Sequence, residues 1–195
     1  MNYIKDIEQY IALEIEILKQ LDAEQINAAL NLLDETRQQK GRIYICGNGG
    51  SAATASHFQN DFNKGVSEYI DVPFRFHCLN DNMATIMAIA NDIGYEEVFR
   101  FQLRNNLEEN DVLIAISGSG NSPNIIHAVE YAKEHGCKII GLTGFSGGKL
   151  KEMADISLHA PVNSMQVTED IHMTFDHLMM SIFYKHLCGQ DHLKG

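Results

Sequence analysis

The feature that most constrains the fold is an apolar run, residues 112–116, that leads directly into a loop of serine, glycine and asparagine, residues 117–122. A helical pattern follows this loop. A buried strand, a polar loop and a helix start can hold a phosphate group, because glycines allow close approach while amides and hydroxyls donate hydrogen bonds. The loop has no lysine, so it is not the GxxxxGK[ST] nucleotide loop. It suits the phosphate of a small metabolite, and its patterned flanks disfavour a flexible linker.

A second glycine-rich loop of the same kind lies earlier in the chain. A short β-rich run at residues 42–46 is followed by Gly-Asn-Gly-Gly-Ser at 47–51, which opens a helix containing His57 and Asp61. One such turn is weak evidence, but two at strand-to-helix junctions in a short chain are more specific. In an open parallel sheet these junctions lie along the carboxyl edge, where ligands bind.

Strand and helix patterns alternate along most of the chain. Strands are predicted at residues 42–46, 72–79, 112–117, 138–143 and 156–159. Helices are predicted at 51–63, 82–105, 122–135, 148–153 and 166–187, and residues 3–39 are helical with a break at Leu21 and Asp22. This alternation predicts an α/β fold, a doubly wound five-stranded parallel sheet flanked by helices. We expect a single domain over residues 1–195, with a helical N-terminal arm at 1–40 and the α/β core at 41–195. The arm either caps its own sheet or packs against another subunit.

Composition narrows the partners and the compartment. The formal net charge of −11 argues against nucleic-acid binding, which needs a basic surface. No apolar run approaches the roughly 18 residues of a membrane span, and the first residues do not resemble a signal peptide. We therefore expect a cytoplasmic protein with neither nucleic acid nor membrane as partner. The four cysteines lack CxxC spacing and are interpreted as reduced, neither disulfides nor zinc ligands.

Metal-ligating and titratable side chains concentrate in two predicted helices. His57 and Asp61 are four residues apart and so share one helix face, where they form either a divalent-metal site, an acid–base couple or an ordinary surface pair. The last helix is dense in ligand types amid apolar residues: Glu169, Asp170, His172, Asp176 and His177. The alternative for this segment is a solvated acidic face with incidental histidines.

Taken in order, these motifs resemble those of the SIS (sugar isomerase) domain family. The matching segments are residues 47–52, His57, residues 89–92, 116–122, 142–144 and 169–172, and His177. The resemblance spans nearly the whole chain, including the helical arm. Within the family, the chain looks most like the branch that converts sedoheptulose 7-phosphate to D-glycero-D-manno-heptose 7-phosphate. This implies the SIS fold and an aldose–ketose isomerase of carbohydrate metabolism that works through an enediol, without a nucleotide cofactor.

The resemblance also implies roles for individual residues. It implies substrate contacts at Asn48, Gly49, Gly50, Asn91, Asp92 and Glu169, and a phosphate pocket at Ser51, Ser117, Gly118, Ser119 and Ser122. It implies zinc, or another divalent metal, bound by His57, Asp61, Glu169 and His177. Asp61 and His177 would also be the catalytic acid–base pair.

The chain departs from the family pattern at four positions. The family typically has glutamate at Asp61, glutamine at Glu169, often aspartate at Thr54, and threonine at Gly118. The ligand set remains two histidines and two carboxylates, which suits a divalent cation. However, displacing a catalytic base by about 1 Å costs on the order of 100-fold in rate. The alternatives are therefore a non-catalytic SIS assembly protein, of the type that binds the replication initiator DnaA, or an isomerase or sensor for another sugar phosphate.

The spacing of Glu169 and His177 bears on assembly. Eight residues on a helix span about 12 Å and differ by roughly 80° in direction, so by spacing Asp170 aligns better with His177. Either Glu169 lies at or before the start of the helix, or Glu169 and His177 act in different subunits. The second option predicts a site at a subunit interface and an obligate oligomer, for which we expect a homotetramer.

Overall fold

One parallel sheet organises the molecule. The computed structural model describes residues 1–104, 106–191 and 193. Within them the strand order is β2-β1-β3-β4-β5, all parallel, with β1 (Ile43–Cys46), β2 (Phe76–Cys78), β3 (Val112–Ser117), β4 (Lys138–Thr143) and β5 (Ile156–His159). The prediction of an α/β fold with a doubly wound five-stranded parallel sheet is confirmed.

Helices cover both faces of the sheet. In chain order they are α1 (Ile4–Leu18), α2 (Ala23–Gln38), α3 (Gly50–Asn60), α4 (Met83–Asp92), α5 (Arg100–Leu103), α6 (Pro123–Glu134), α7 (Gly148–Met153) and α8 (Met165–Leu187). Within the described ranges, no helix combines the length and apolar character needed to cross a membrane.

The sheet separates two hydrophobic cores, because successive strand side chains point to opposite faces. Ile114 and Ile116 join the core that includes residues of α2, α3 and α8. Leu113 and Ala115, the alternating residues of the same strand, join the core that includes residues of α6. Central strands buried on both faces are expected to be continuous apolar runs, as β3 is.

The N-terminal arm is divided by an N-cap. Asp22 accepts hydrogen bonds from the amides of Glu24 and Gln25 at 2.9 and 3.1 Å, so the predicted break falls at Asp22. Residues of α2 enter the core beside α8, and Gln25 accepts a hydrogen bond from the Ser157 amide at 2.9 Å. Thus α2 caps the chain's own sheet. In contrast, α1 leaves an apolar stripe exposed that consists of Ile4, Ile7, Ile11, Ile15 and Leu18.

Three predicted elements differ from the observed ones. Strand 72–79 is reduced to β2, because the chain before it, which includes Pro73, is bonded elsewhere: the Phe74 amide donates to the Ser67 hydroxyl at 2.9 Å. The helix predicted at 82–105 is divided at Gly94, whose φ of 149° is incompatible with a helix. Its predicted last residue, Asn105, lies outside the described residues. The helix predicted at 51–63 changes at Asp61 into a π-helical turn, Asp61–Gly65.

Candidate active site

The two glycine-rich loops meet at the carboxyl ends of neighbouring strands β1 and β3. With the first turns of α8 they enclose a cleft of about 280 Å³. The cleft is lined by Asn48, Gly49, Gly50, Ser51, Ile116, Ser117, Gly118, Ser119, Ser122, Met165 and Glu169. All the residues predicted for the phosphate pocket therefore lie around one cavity, as the two-loop pattern predicts.

The cleft is built to accept an anion without a basic side chain among its lining residues. Helices α3 and α6 both begin at it, and the N-terminus of a helix carries partial positive charge and free amides. The hydroxyls of Ser117 and Ser122 lie 3.1 Å apart. Gly50 lies close to the Glu169 carboxylate: a Cβ at position 50 would be 2.3 Å from Oε1 of Glu169, so the Glu169 side chain would have to move.

A second group of polar side chains lies between α3 and α8. It consists of His57, Asp61, Asp176 and His177, each of which offers a ligand atom within 4.8 Å of the others. Nε2 of His57 lies 3.1 Å from Nε2 of His177 and 3.3 Å from Oδ2 of Asp61. Oδ2 of Asp61 is 3.9 Å from Nε2 of His177. We call this group the His/Asp cluster.

Asp176 is the unusual member of the cluster. It is fully buried, and neither carboxylate oxygen has a hydrogen-bond partner among the described residues. Burial, and to a smaller extent the neighbouring Asp61, raises the pKa of Asp176 to about 8. Buried carboxylates without hydrogen bonds are expensive, whereas a bound cation satisfies them.

The donor atoms of the His/Asp cluster fit a divalent metal. Ligand atoms about 2.0–2.1 Å from a tetrahedral zinc lie roughly 3.3 Å apart. The two imidazole nitrogens are 3.1 Å apart, and Nε2 of His57 is 3.3 Å from Asp61. The Asp61–His177 and His57–Asp176 pairs are 3.9 Å apart and would draw slightly together around a metal. Imidazole nitrogens and carboxylate oxygens are also the zinc ligands of proteins. The cluster can therefore hold a metal ion.

The cluster differs from the predicted ligand set in one member. The structure brings together His57, Asp61 and His177, but the fourth member is Asp176, not Glu169. Since α8 begins at Met165, Glu169 is inside the helix. This excludes the first of the two alternatives for Glu169 and His177 and leaves the second, in which they act in different subunits, as a prediction. The Glu169 carboxylate instead lies against Gly50 in the cleft, and its contact with the substrate stays a prediction.

Asn91 and Asp92 are not brought to this cleft. Both are exposed at the end of α4, where the Asn91 amide donates to Asp92 at 2.7 Å. Thr54, at the position where the family often has aspartate, donates its hydroxyl to the carbonyl of Gly50 at 3.2 Å. Thr54 is therefore bonded within its own helix.

Sequence reasoning missed two residues that orient Asn48 at the mouth of the cleft. Asn48 and Asn124 exchange two side-chain hydrogen bonds of 2.9 Å each, and the Tyr95 hydroxyl donates to Asn48 at 2.7 Å. Asn124 could have been identified from the sequence, because it lies in the first helical turn after the phosphate loop. Nothing in the local pattern pointed to Tyr95, because it lies within the helix predicted at residues 82–105, away from both glycine-rich loops.

The cleft and the His/Asp cluster lie at successive positions along one pair of helices. Near the start of both helices, Gly50 of α3 lies against Glu169 of α8. Seven residues later on each helix, His57 of α3 lies 3.9 Å from Asp176 of α8. The two helices therefore run parallel. Seven helical residues span about 10 Å, which is the separation of the two regions along the helix axes.

Comparison with known proteins identifies the family. The model of the SIS domain matches residues 3–144. The chain is 36% identical over 199 residues to the phosphoheptose isomerase of Helicobacter pylori, covering 97% of this chain and 98% of that protein. It is 37% identical over 179 residues to the phosphoheptose isomerase of Aliarcobacter butzleri, covering 90% and 94%. The chain belongs to the SIS domain family, in its phosphoheptose isomerase branch.

Solved structures agree with this membership. Phosphoheptose isomerase GmhA from Neisseria gonorrhoeae superposes with a TM-score of 0.86 at 30% identity, covering 94% of this chain and 100% of that one. The SIS fold implied by the sequence motifs is therefore confirmed. As a member of the phosphoheptose isomerase branch, the chain is an isomerase of the aldose–ketose class.

Proposed function

We propose that the chain converts sedoheptulose 7-phosphate to D-glycero-D-manno-heptose 7-phosphate with the help of a divalent metal. The observation that carries this proposal is the separation of about 10 Å between the cleft and the His/Asp cluster. A sugar phosphate carries its phosphate at one end and its carbonyl near the other. One substrate molecule can therefore reach both regions at once.

The cleft anchors the phosphate end. Ser51, Ser117, Ser119 and Ser122 supply hydroxyls, while Gly118 contributes its backbone amide, and the starts of α3 and α6 stabilise the negative charge. Glu169, at the same cleft, is suited to accept hydrogen bonds from sugar hydroxyls. Binding energy from this remote end positions the reacting carbons at the cluster.

The His/Asp cluster carries out the proton transfers. Asp61 removes a proton from C1 of the ketose while His177 protonates the carbonyl oxygen at C2, giving an enediol. Asp61 then returns the proton to C2, and His177 accepts the proton from the oxygen at C1, which yields the aldose. The separation of 3.9 Å between Oδ2 of Asp61 and Nε2 of His177 supports their acting on neighbouring atoms of one substrate.

Zinc is the metal that we propose for this site. Two imidazoles with carboxylates form a nitrogen-and-oxygen donor set of the kind that zinc prefers. When bound, zinc would supply Lewis-acid stabilisation of the negative charge that develops on the substrate oxygen.

We further propose that the chain forms a homotetramer in the cytoplasm, each chain a single domain. The apolar stripe of α1 supports assembly, because Ile4 and Ile7 are 60% and 56% exposed and have the character of an interface. Assembly also offers a role for Asn91 and Asp92: both are exposed outside their own cleft and are available to the substrate of a neighbouring subunit.

The proposed reaction is tested by incubating protein purified without chelator with sedoheptulose 7-phosphate and following the aldose by proton NMR. We expect an aldose product from the wild type and none from His177→Ala. Binding of the sugar phosphate without any turnover would contradict the proposal. That result would favour the alternatives of a non-catalytic assembly protein or a sensor.

A further inference from the structure

We propose that Asp176 is the second carboxylate ligand of the metal site, in the place that the family resemblance gives to Glu169. Glu169 then acts only at the substrate cleft. The inference rests on the proposed function, since it takes the metal at the His/Asp cluster as its starting point. It assigns to Asp176 a role that the family pattern does not imply.

The first support is the state of the Asp176 side chain. It has 0% exposure, and both oxygens lack hydrogen-bond partners within the described part of the chain. Along α8 its neighbours Phe175 and Met179 are buried apolar residues of the core. A carboxylate in such surroundings needs a cation or a proton. Because two imidazoles, which are common metal ligands, lie beside it, a metal cation is favoured.

The second support is position. Oδ2 of Asp176 lies 3.9 Å from Nε2 of His57, within the four-atom cluster. Glu169 is seven residues earlier on the same helix, about 10 Å away along its axis, with its carboxylate against Gly50. In this chain, Asp176 therefore reaches the imidazoles from α8 and Glu169 does not.

The third support is charge. Two neutral imidazoles with Asp61 and Asp176 balance a divalent cation, which favours binding at a site where both carboxylates are buried. A ligand set that also included Glu169 would bring a third carboxylate and leave a net negative charge.

The test compares two matched carboxylate-to-amide changes on the same helix, Asp176→Asn and Glu169→Gln. Zinc affinity is measured by competition with a chromophoric chelator, and the melting temperature is measured with and without zinc. We expect Asp176→Asn to weaken zinc binding by at least about 10- to 100-fold, the loss that changes around metal ligands already produce. We expect Glu169→Gln to leave zinc affinity unchanged while weakening binding of the sugar phosphate.

Asp176→Leu adds a readout that does not depend on activity. Replacing a buried, unpaired carboxylate by an apolar side chain should raise the melting temperature of the metal-free protein. The same change should reduce the rise in melting temperature that zinc produces in the wild type. Circular dichroism of both Asp176 variants checks that they fold.

The outcomes separate this inference from the proposed function. Full zinc affinity in Asp176→Asn, or equal losses in Asp176→Asn and Glu169→Gln, would overturn the role of Asp176 while leaving the metal site intact. Wild-type zinc affinity in His57→Ala would instead overturn the metal site itself.

Discussion

The cleft and the His/Asp cluster are built in different ways, although one pair of helices carries both. In the cleft, two strand-to-helix loops supply backbone amides and hydroxyls, and Ser117 and Ser122 already hydrogen-bond each other. In the cluster, side chains from helices more than 100 residues apart in sequence converge, and Asp176 is left buried without a partner. The cleft hydroxyls therefore have partners of their own, whereas the buried carboxylate of the cluster needs a bound cation or a proton.

This difference indicates how each region tolerates change. A site made of backbone amides and several equivalent hydroxyls loses affinity gradually, because each donor contributes part of the binding energy. A site made of a few converging side chains fails when one is altered. Changes in the cleft should therefore affect binding, and changes in the cluster should affect metal and chemistry.

The largest effect is expected from Asp61→Asn. Removing the base should lower kcat for sedoheptulose 7-phosphate by about 10²- to 10⁴-fold, the usual contribution of a general base. Binding of the sugar phosphate, measured by calorimetry, should be retained because the cleft is unchanged. If affinity fell as much as the rate, the proposed division between binding and chemistry would be wrong.

A smaller effect is expected in the cleft from the double substitution of Ser119→Ala with Ser122→Ala. Two hydrogen bonds to a charged phosphate are lost, so affinity for the sugar phosphate should fall by about 3 kcal/mol in binding free energy. Zinc affinity should be unchanged. This variant should therefore impair binding of the sugar phosphate, whereas Asp61→Asn should impair the chemical step. Unchanged sugar-phosphate affinity would show that the phosphate binds elsewhere.

A third test concerns His172, which is buried on α8 between Glu169 and Asp176 in sequence. Neither ring nitrogen has a hydrogen-bond partner among the described residues. Burial, together with a smaller effect of the nearby His159, lowers the pKa of His172 from 6.5 to about 4. Between these two pH values the unfolded chain binds a proton that the folded chain does not.

The contribution of His172 to the stability of the metal-free protein should therefore be greatest above pH 6.5 and fall as the pH drops toward 4. This fall is at most about 3 kcal/mol in the free energy of unfolding. The free energy of unfolding, measured with urea at pH 7 and at pH 4.5, should change less with pH in His172→Leu than in the wild type. The same pH dependence in both proteins would contradict this account of His172.

Substitutions on the exposed stripe of α1 are expected to have the smallest effect on the fold of the single chain. Replacing Ile7 and Ile11 by aspartate should dissociate the assembly, as measured by light scattering. These residues are 56% and 51% exposed in the single chain, so its fold should be little affected. Gln9→Asp, on the opposite side of the same helix by spacing, is the control and should leave the assembly intact. A wild type that is monomeric at working concentration would rule out the proposed assembly.

The same contrast explains what the sequence could predict. The cleft was predictable because its residues follow directly from apolar strands, and β3, β4 and β5 have the predicted bounds because their apolar runs are sharply delimited. The identity of the fourth cluster residue was not predictable. Spacing alone shows which residues of α8 share a face, but only tertiary packing decides which face meets α3. Glu169 and Asp176 lie on nearly the same face, two turns apart, and their different partners follow from that packing.

The central claim is that isomerisation depends on a metal held at the His/Asp cluster. It is tested most directly by stripping the protein with chelator, returning zinc in steps, and measuring bound zinc by elemental analysis together with turnover of sedoheptulose 7-phosphate. We predict that turnover disappears on stripping and returns in proportion to bound zinc, and that His57→Ala neither retains zinc nor recovers activity. Full turnover in the stripped protein, or zinc retention by His57→Ala equal to that of the wild type, would contradict the claim.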